Sequence, residues 1–336
     1  MAGMVEEQDD VWRCLLAQPV EAASHPGREL ADRLSAKMAP SLIETLLAPL
    51  HIKVRGAANA LLLSRLSYAA QKRAFARFVE AGFEPVAIKG FANAHRLYDD
   101  PVPRIVGDLD VLLERRHLKA AIELLAAEGF RFAPIVDKRW GLIGDASFAP
   151  FHSADGTCNI DFHIAPDSWP LPLGLSAGDV RARARTVGGV RMPSDEHALL
   201  IAIANAAKDK FGWRSLGKML DLARLLRSCG PSMDWDEIQR RAKAARLDRA
   251  MGCFFALVRA LGGEAPRLPA PSGPVFQALV AEWRSGFTRE PSGLATFARE
   301  AWLAHAPATA LALNVKRLVG LVAPNDGVPA EGRALV

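Results

Sequence analysis

Cysteine, tyrosine and long apolar runs are scarce in this 336-residue chain, and each shortage excludes something. The four cysteines, Cys14, Cys158, Cys229 and Cys253, are scattered. None forms a C-x-x-C pair and no histidine stands at zinc-ligand spacing from them, which excludes a zinc knuckle or a disulfide framework and leaves buried thiols in a reducing cytosol. Two Tyr beside seven Trp and fifteen Phe argue against a surface of aromatic stacking platforms. The longest uncharged apolar stretch, Leu303 to Val315, is broken by His305 and Pro307. It falls short of the roughly 18 residues a membrane span needs. The acidic stretch Met1 to Asp10 leads into no apolar run, so a signal peptide is not expected and the expected compartment is the cytoplasm. G-x-x-x-x-G-K-[ST] and G-x-S-x-G are both missing, so neither a P-loop nor a nucleophile elbow is present.

What is there suffices for a large core: half the residues are hydrophobic, a quarter are charged, and the formal net charge is only +5. That excess is local. Residues 28–78 hold nine Lys/Arg against three Asp/Glu, a net +6, so the rest of the chain is close to neutral. The basic side chains lie on the polar faces of expected helices, where they are either solvated or turned toward an acidic partner or phosphate. Nucleic acid is not the expected partner.

Apolar spacing predicts helices over Arg28–Leu50, interrupted at Pro40, and over Gly56–Ala81, stopping at Gly82. The texture changes at Phe83. Pro85–Gly90 reads as a short strand, Phe91–Tyr98 as a helix, Val106–Leu113 as an alternating strand and Arg115–Gly129 as an amphipathic helix. Ala146–His152 and Cys158–Ile164 are strand-like runs around an Asp155-Gly156 turn, which predicts a hairpin. Beyond Pro166 the pattern is helical again, with Ser194 placed to cap a helix reaching about Lys210 and Trp213–Arg227 carrying one apolar face. The expected organisation is a helical region over 1–81, an α/β core over 82–166 and a helical domain over 167–336.

The sharpest feature is Gly107-Asp108-Leu109-Asp110. On a strand the two carboxylates project from one side, about 6–7 Å apart at Cα, while Leu109, Val111 and Leu113 turn to a core. Such a pair repels unless a cation sits between its members, and hard divalent ions suit it. Ile160-Asp161-Phe162-His163 repeats the device: Asp161 and His163 share a face opposite three large apolar residues. Beside the first strand, Asp161 completes three carboxylates, a set able to hold two ions about 3.5–4 Å apart for phosphoryl or nucleotidyl transfer. On an edge strand it is merely a charge facing water. Ile88-Lys89-Gly90 ends a strand and opens a helix, where a glycine and a helix N-terminus suit a phosphate and Lys89 adds a point charge. Arg104, just before Asp108, reaches either a triphosphate or Asp99 and Asp100. Lys208 and Lys210 either face the cleft or end a helix in solvent. His163 orients an acceptor or is structural, and Asp221 reads as an interhelical hydrogen-bond partner.

Ile88-Lys89-Gly90, Tyr98, Arg104, Asp108-Leu109-Asp110, Asp161-Phe162-His163, and then Trp213, Leu216 and Asp221 together resemble the uncharacterised bacterial nucleotidyltransferases of the DNA polymerase β superfamily. The likeness spans about residues 60–230. It implies an α+β fold, a small mixed-sheet polymerase β-like core embedded between N- and C-terminal helical regions. It implies that Asp108 and Asp110 are Mg²⁺ (or Mn²⁺) ligands and that Asp161 is a third ligand or the base. Lys89, Gly90, Arg104 and Lys208 then serve the nucleotide. The implied substrates are a nucleoside triphosphate and a small-molecule, sugar-phosphate or peptide acceptor, natural-product and lasso-peptide modification being a setting of such relatives. The chain departs from the wider superfamily in two places: Phe91 stands where a turn serine touches phosphate, and Asn205 where relatives often show histidine. A catalytically silent nucleotide sensor of the same fold is the rival expectation.

Overall fold

The computed structural model describes residues 11–16, 28–132, 147, 150–288, 292–304 and 315. Met1–Asp10, most of the run from Ala146 to Pro150, and the Pro/Gly linker at 323–332 lie outside the described residues. The chain is α+β, as expected. Helices α1 (residues 11–15), α2 (Arg28–Ser35), α3 (Pro40–Leu46) and α4 (Ala57–Glu80) come first. Pro40 does not merely interrupt a longer helix. It occupies the first turn of α3, where its missing N–H costs nothing.

The core sheet comprises β1 (Val86–Ala87), β2 (Leu109–Leu112), β3 (Arg131–Phe132), β4 (Phe151–His152) and β5 (Asn159–His163), with α5 (Lys89–Leu97) after β1 and α6 (Arg115–Ala127) after β2. The spatial order is β1-β2-β5-β4-β3. Only β2 and β5 run parallel; every other pair in this sheet is antiparallel. The Asp155-Gly156 hairpin forms between β4 and β5: Asp155 Oδ1 accepts from the Thr157 N–H at 3.0 Å, and Gly156 takes the φ of +70° that the turn needs. The strand expected over Val106–Leu113 is paired only at Leu109–Leu112, so Gly107 and Asp108 lie in the loop that enters it.

Alternation along these strands sorts two apolar clusters. Ala87, Leu109, Val111, Leu113, Ile160 and Phe162 pack on one side with Phe75 and Phe78 of α4 and Leu118, Ile122 and Leu125 of α6. On the other side, Val86, Ile88 and Leu112 join a larger helical cluster. It is built on α8 (Asp195–Lys208), α9 (Leu216–Cys229), α10 (Trp235–Ala244) and α11 (Asp248–Ala260), which follow the short α7 (Ala177–Ala182) and the hairpin of β6 (Arg185–Val187) and β7 (Val190–Met192). Ser194 caps α8, accepting from the His197 N–H, with Asp195 and Glu196 in the first turn where the helix dipole favours them. Helices α12 (Pro274–Arg284) and α13 (Gly293–Leu303) close the described chain. Among the described residues, no helix is long and apolar enough to cross a membrane.

Candidate active site

The parallel pairing of β2 with β5 sets Asp110 directly opposite Asp161, and Leu112 opposite His163. Because side chains alternate, both acids emerge on the face away from α4 and α6. β5 is flanked by β2 and β4, so Asp161 is not the charge of an edge strand. Asp108 arrives from the loop before β2. The three acids, with Lys89 and Gly90 from the start of α5, line one cavity of about 230 Å³. Asn93, Arg104, Ala202, Asn205, Lys218 and Asp221 complete the wall opposite the sheet.

Their electrostatics differ sharply. Burial alone would raise Asp110, but Lys89 and His163 hold its carboxyl below the usual range. Lys89 Nζ donates to Asp110 Oδ1 at 2.7 Å, and His163 Nε2 lies 2.7 Å from the same oxygen. Burial, then the neighbouring charges of Asp110 and Asp108, push Asp161 up to about 7. Burial and Asp110 lift Asp108 to about 6. The mutual repulsion of the three carboxylates is thus only partly offset by the cations around them, Lys89 first. Asp161 Oδ1 is buried with no hydrogen-bond partner among the described residues. The ligand atoms of Asp110, Asp161 and His163 lie within 4.8 Å of one another, a separation a single metal ion can bridge. An orphaned carboxylate oxygen within an oxygen-rich donor set fits a hard divalent cation.

Arg104 is held by Asp221, not by Asp99 or Asp100. Its Nε and Nη2 donate to the two carboxylate oxygens at 2.9 Å each, and Tyr98 Oη donates to Oδ1 at 2.9 Å. Asn93 Nδ2 adds a longer bond at 3.4 Å. The guanidinium is thus fixed in a fork before any ligand arrives. Gly217 makes room for it, since a Cβ there would stand 3.3 Å from Arg104 Nη2.

Residues 31–263 match the family described as uncharacterised nucleotidyltransferase. The chain belongs to that family. No curated protein and no solved structure matches it.

In this nucleotidyltransferase the structure brings Asp108, Asp110, Asp161, Lys89, Gly90 and Arg104 to one cavity and leaves two expected residues off its lining. Lys208 ends α8 with its ammonium paired to the buried Asp167. His163 is almost fully buried behind Asp110, which it holds by hydrogen bond, so it faces the carboxylate and not the open space where an acceptor would lie. The expected backbone freedom of Gly90 is also displaced: the left-handed residue is Lys89, at φ 55°. Phe91 turns into the core against Tyr68, Phe75 and His95, so its position offers the cavity no polar group. Sequence reading missed Lys218, which enters from α9 bonded to Asn205 Oδ1 at 2.9 Å and to Asp209. Its signal lay in the segment between Trp213 and Asp221, but nothing local distinguished it from a solvated helix lysine.

Proposed function

We propose that the chain transfers a nucleoside monophosphate from a nucleoside triphosphate to a hydroxyl or phosphate of a small-molecule, sugar-phosphate or peptide acceptor, releasing pyrophosphate. The observation that carries this reading is the meeting of three carboxylates with Lys89, Arg104 and Lys218 around one small cavity. Asp108, Asp110 and Asp161 would hold Mg²⁺, which when bound polarises the phosphoryl oxygens and offsets charge on the leaving pyrophosphate. His163 anchors Asp110 from behind. The Asp221-held Arg104 lines the cavity with the acids and would bind phosphate oxygens. Lys218 could join it only by exchanging one of its bonds to Asn205 O, Asn205 Oδ1 and Asp209. The α5 first turn, which has no side-chain cap, adds backbone N–H groups. The acceptor oxygen attacks the α-phosphorus, the bond to the β-phosphate bridging oxygen breaks and pyrophosphate leaves; the acceptor proton passes to Asp161 if that carboxylate is the base and not the third metal ligand. At 230 Å³ the cavity is smaller than the roughly 300–1,000 Å³ of whole-ligand sites, so it accommodates the polyphosphate end and leaves base and acceptor to the surrounding helices.

The test is pyrophosphate release with Mg²⁺, the four nucleoside triphosphates and a panel of hydroxyl and phosphate acceptors. Asp108→Asn with Asp110→Asn should lower the rate by about 10³-fold or more; an unchanged rate places the chemistry elsewhere. The core-facing Phe91, which leaves no turn hydroxyl for a phosphate, favours a second reading as a silent nucleotide sensor. That reading wins if triphosphate binds in a Asp108-dependent way and no acceptor yields pyrophosphate.

A further inference from the structure

Lys89 stands out because its ammonium is bonded to Asp110, one of the carboxylates proposed above to hold the metal ion. Nζ lies 2.7 Å from Asp110 Oδ1 and 3.2 Å from His163 Nε2, and those two atoms are themselves 2.7 Å apart. Asp110 and His163 are two of the three members of the group able to bridge an ion. The lysine side chain is only 12% exposed, and Asp110 first, then Asp167, hold it firmly protonated against the cost of burial. To deliver it, the backbone at Lys89 adopts φ 55°, a conformation L side chains other than Asn and Asp seldom take. A divalent ion and an ammonium cannot share one carboxylate oxygen at such distances without strong repulsion.

We propose that Lys89 is a resident stand-in cation that holds the carboxylate cluster assembled, must be displaced for a divalent ion to enter, and is drawn off by the phosphates of the incoming nucleotide. The inference rests on the metal-dependent reading above and deepens it. Metal alone then binds weakly, because it competes with an intramolecular ammonium. Metal and polyphosphate bind with positive cooperativity, because the polyphosphate gives that ammonium another partner. A lysine that only contacted phosphate would leave the affinity for metal alone unchanged.

The experiment is calorimetric titration of the full chain with Mn²⁺ alone, without nucleotide or turnover. Lys89→Met should bind Mn²⁺ about 10- to 100-fold more tightly than wild type, the worth of a hydrogen bond to a charged group. Lys89→Arg, which keeps a cation, should not. Lys89→Gln, which keeps a donor toward Asp110 without the charge, gives the same reading should the methionine variant fail to fold. Melting temperatures add a second readout. Mn²⁺ and inorganic tripolyphosphate together should stabilise wild type by more than the sum of their separate effects, and Lys89→Met additively. Neutral variants that bind Mn²⁺ no tighter than wild type overturn the stand-in role while the metal site survives. Absence of Mn²⁺ binding from wild type and variants alike overturns the metal reading itself, and this inference with it.

Discussion

Asp221 offers the sharpest test of how the cavity wall is built. It is about 2% exposed and accepts four hydrogen bonds, two from Arg104 and one each from Tyr98 and Asn93. Asp221→Ala strands a buried guanidinium, which costs about 3–5 kcal/mol, and orphans two neutral donors, adding about 1 kcal/mol each. Arg104→Met removes the charge on the other side but leaves Asp221 its bonds from Tyr98 and Asn93, so its cost should be about 1–2 kcal/mol smaller, the worth of those remaining bonds. The double variant Arg104→Met with Asp221→Leu removes both charges and should be no less stable than Asp221→Ala alone. The coupling between the two sites should then be at least the cost of Arg104→Met itself, about 3 kcal/mol or more. Urea unfolding of wild type, Asp221→Leu, Arg104→Met and the double variant, followed by tryptophan fluorescence, gives the cycle directly, with Asp221→Leu expected to cost about as much as Asp221→Ala. Single variants that each cost under about 1 kcal/mol, or a double variant equal to the sum of the singles, refute the claim that Asp221 and Arg104 act as one unit.

Close backbone approach gives a contrasting pair. A Cβ on Gly252 of α11 would lie 2.0 Å from the Pro269 carbonyl, so Gly252→Ala should cost about 1–3 kcal/mol or more in urea. At Gly90 the nearest atom is Val106 Cγ1 at 3.5 Å, and alanine there should leave stability within about 0.5 kcal/mol. Glu237 is held down to about 2 by hydrogen bonds from Arg183 and then Arg241. A depressed carboxyl contributes stability above its unfolded value, near 4.5, and loses it as pH falls through the folded one. The gap in melting temperature between wild type and Glu237→Gln should therefore be full at pH 7 and shrink between about 4.5 and 2; a gap that is flat across that window contradicts the assignment.

Much of the site was legible because it obeys period-2 geometry. Leu109, Val111, Ile160 and Phe162 declared one buried face, which obliged Asp110 and Asp161 onto the other, and their pairing followed once the strands lay side by side. The Asp155-Gly156 turn and the Ser194 cap were visible for similarly local reasons: both are set by a few adjacent residues. Lys218 and the grip of Asp221 on Arg104 were not visible, because they depend on how α9 crosses α5 and the loop before β2, more than a hundred residues apart in the chain. Lys208 misled for the same reason. Its sequence places it at a helix end near the cleft, and only packing reveals Asp167 as its partner. The left-handed φ falls on Lys89 and not on the adjacent Gly90, and nothing in the local sequence marks it there.

The in-register pairing of β2 with β5 also bears on how this chain avoids misfolding. Were β5 to slip by one residue, Asp161 and His163 would turn into the layer occupied by Phe75, Phe78 and Ile122, and Phe162 would face the acids. Both ionisable groups that β5 brings to the cluster would then be stranded in hydrocarbon at once. The two strands come together only after some fifty intervening residues have been threaded past them, the kind of late, non-local closure at which errors accumulate. The same charges that make the cavity useful therefore penalise the neighbouring register and help to specify the native one.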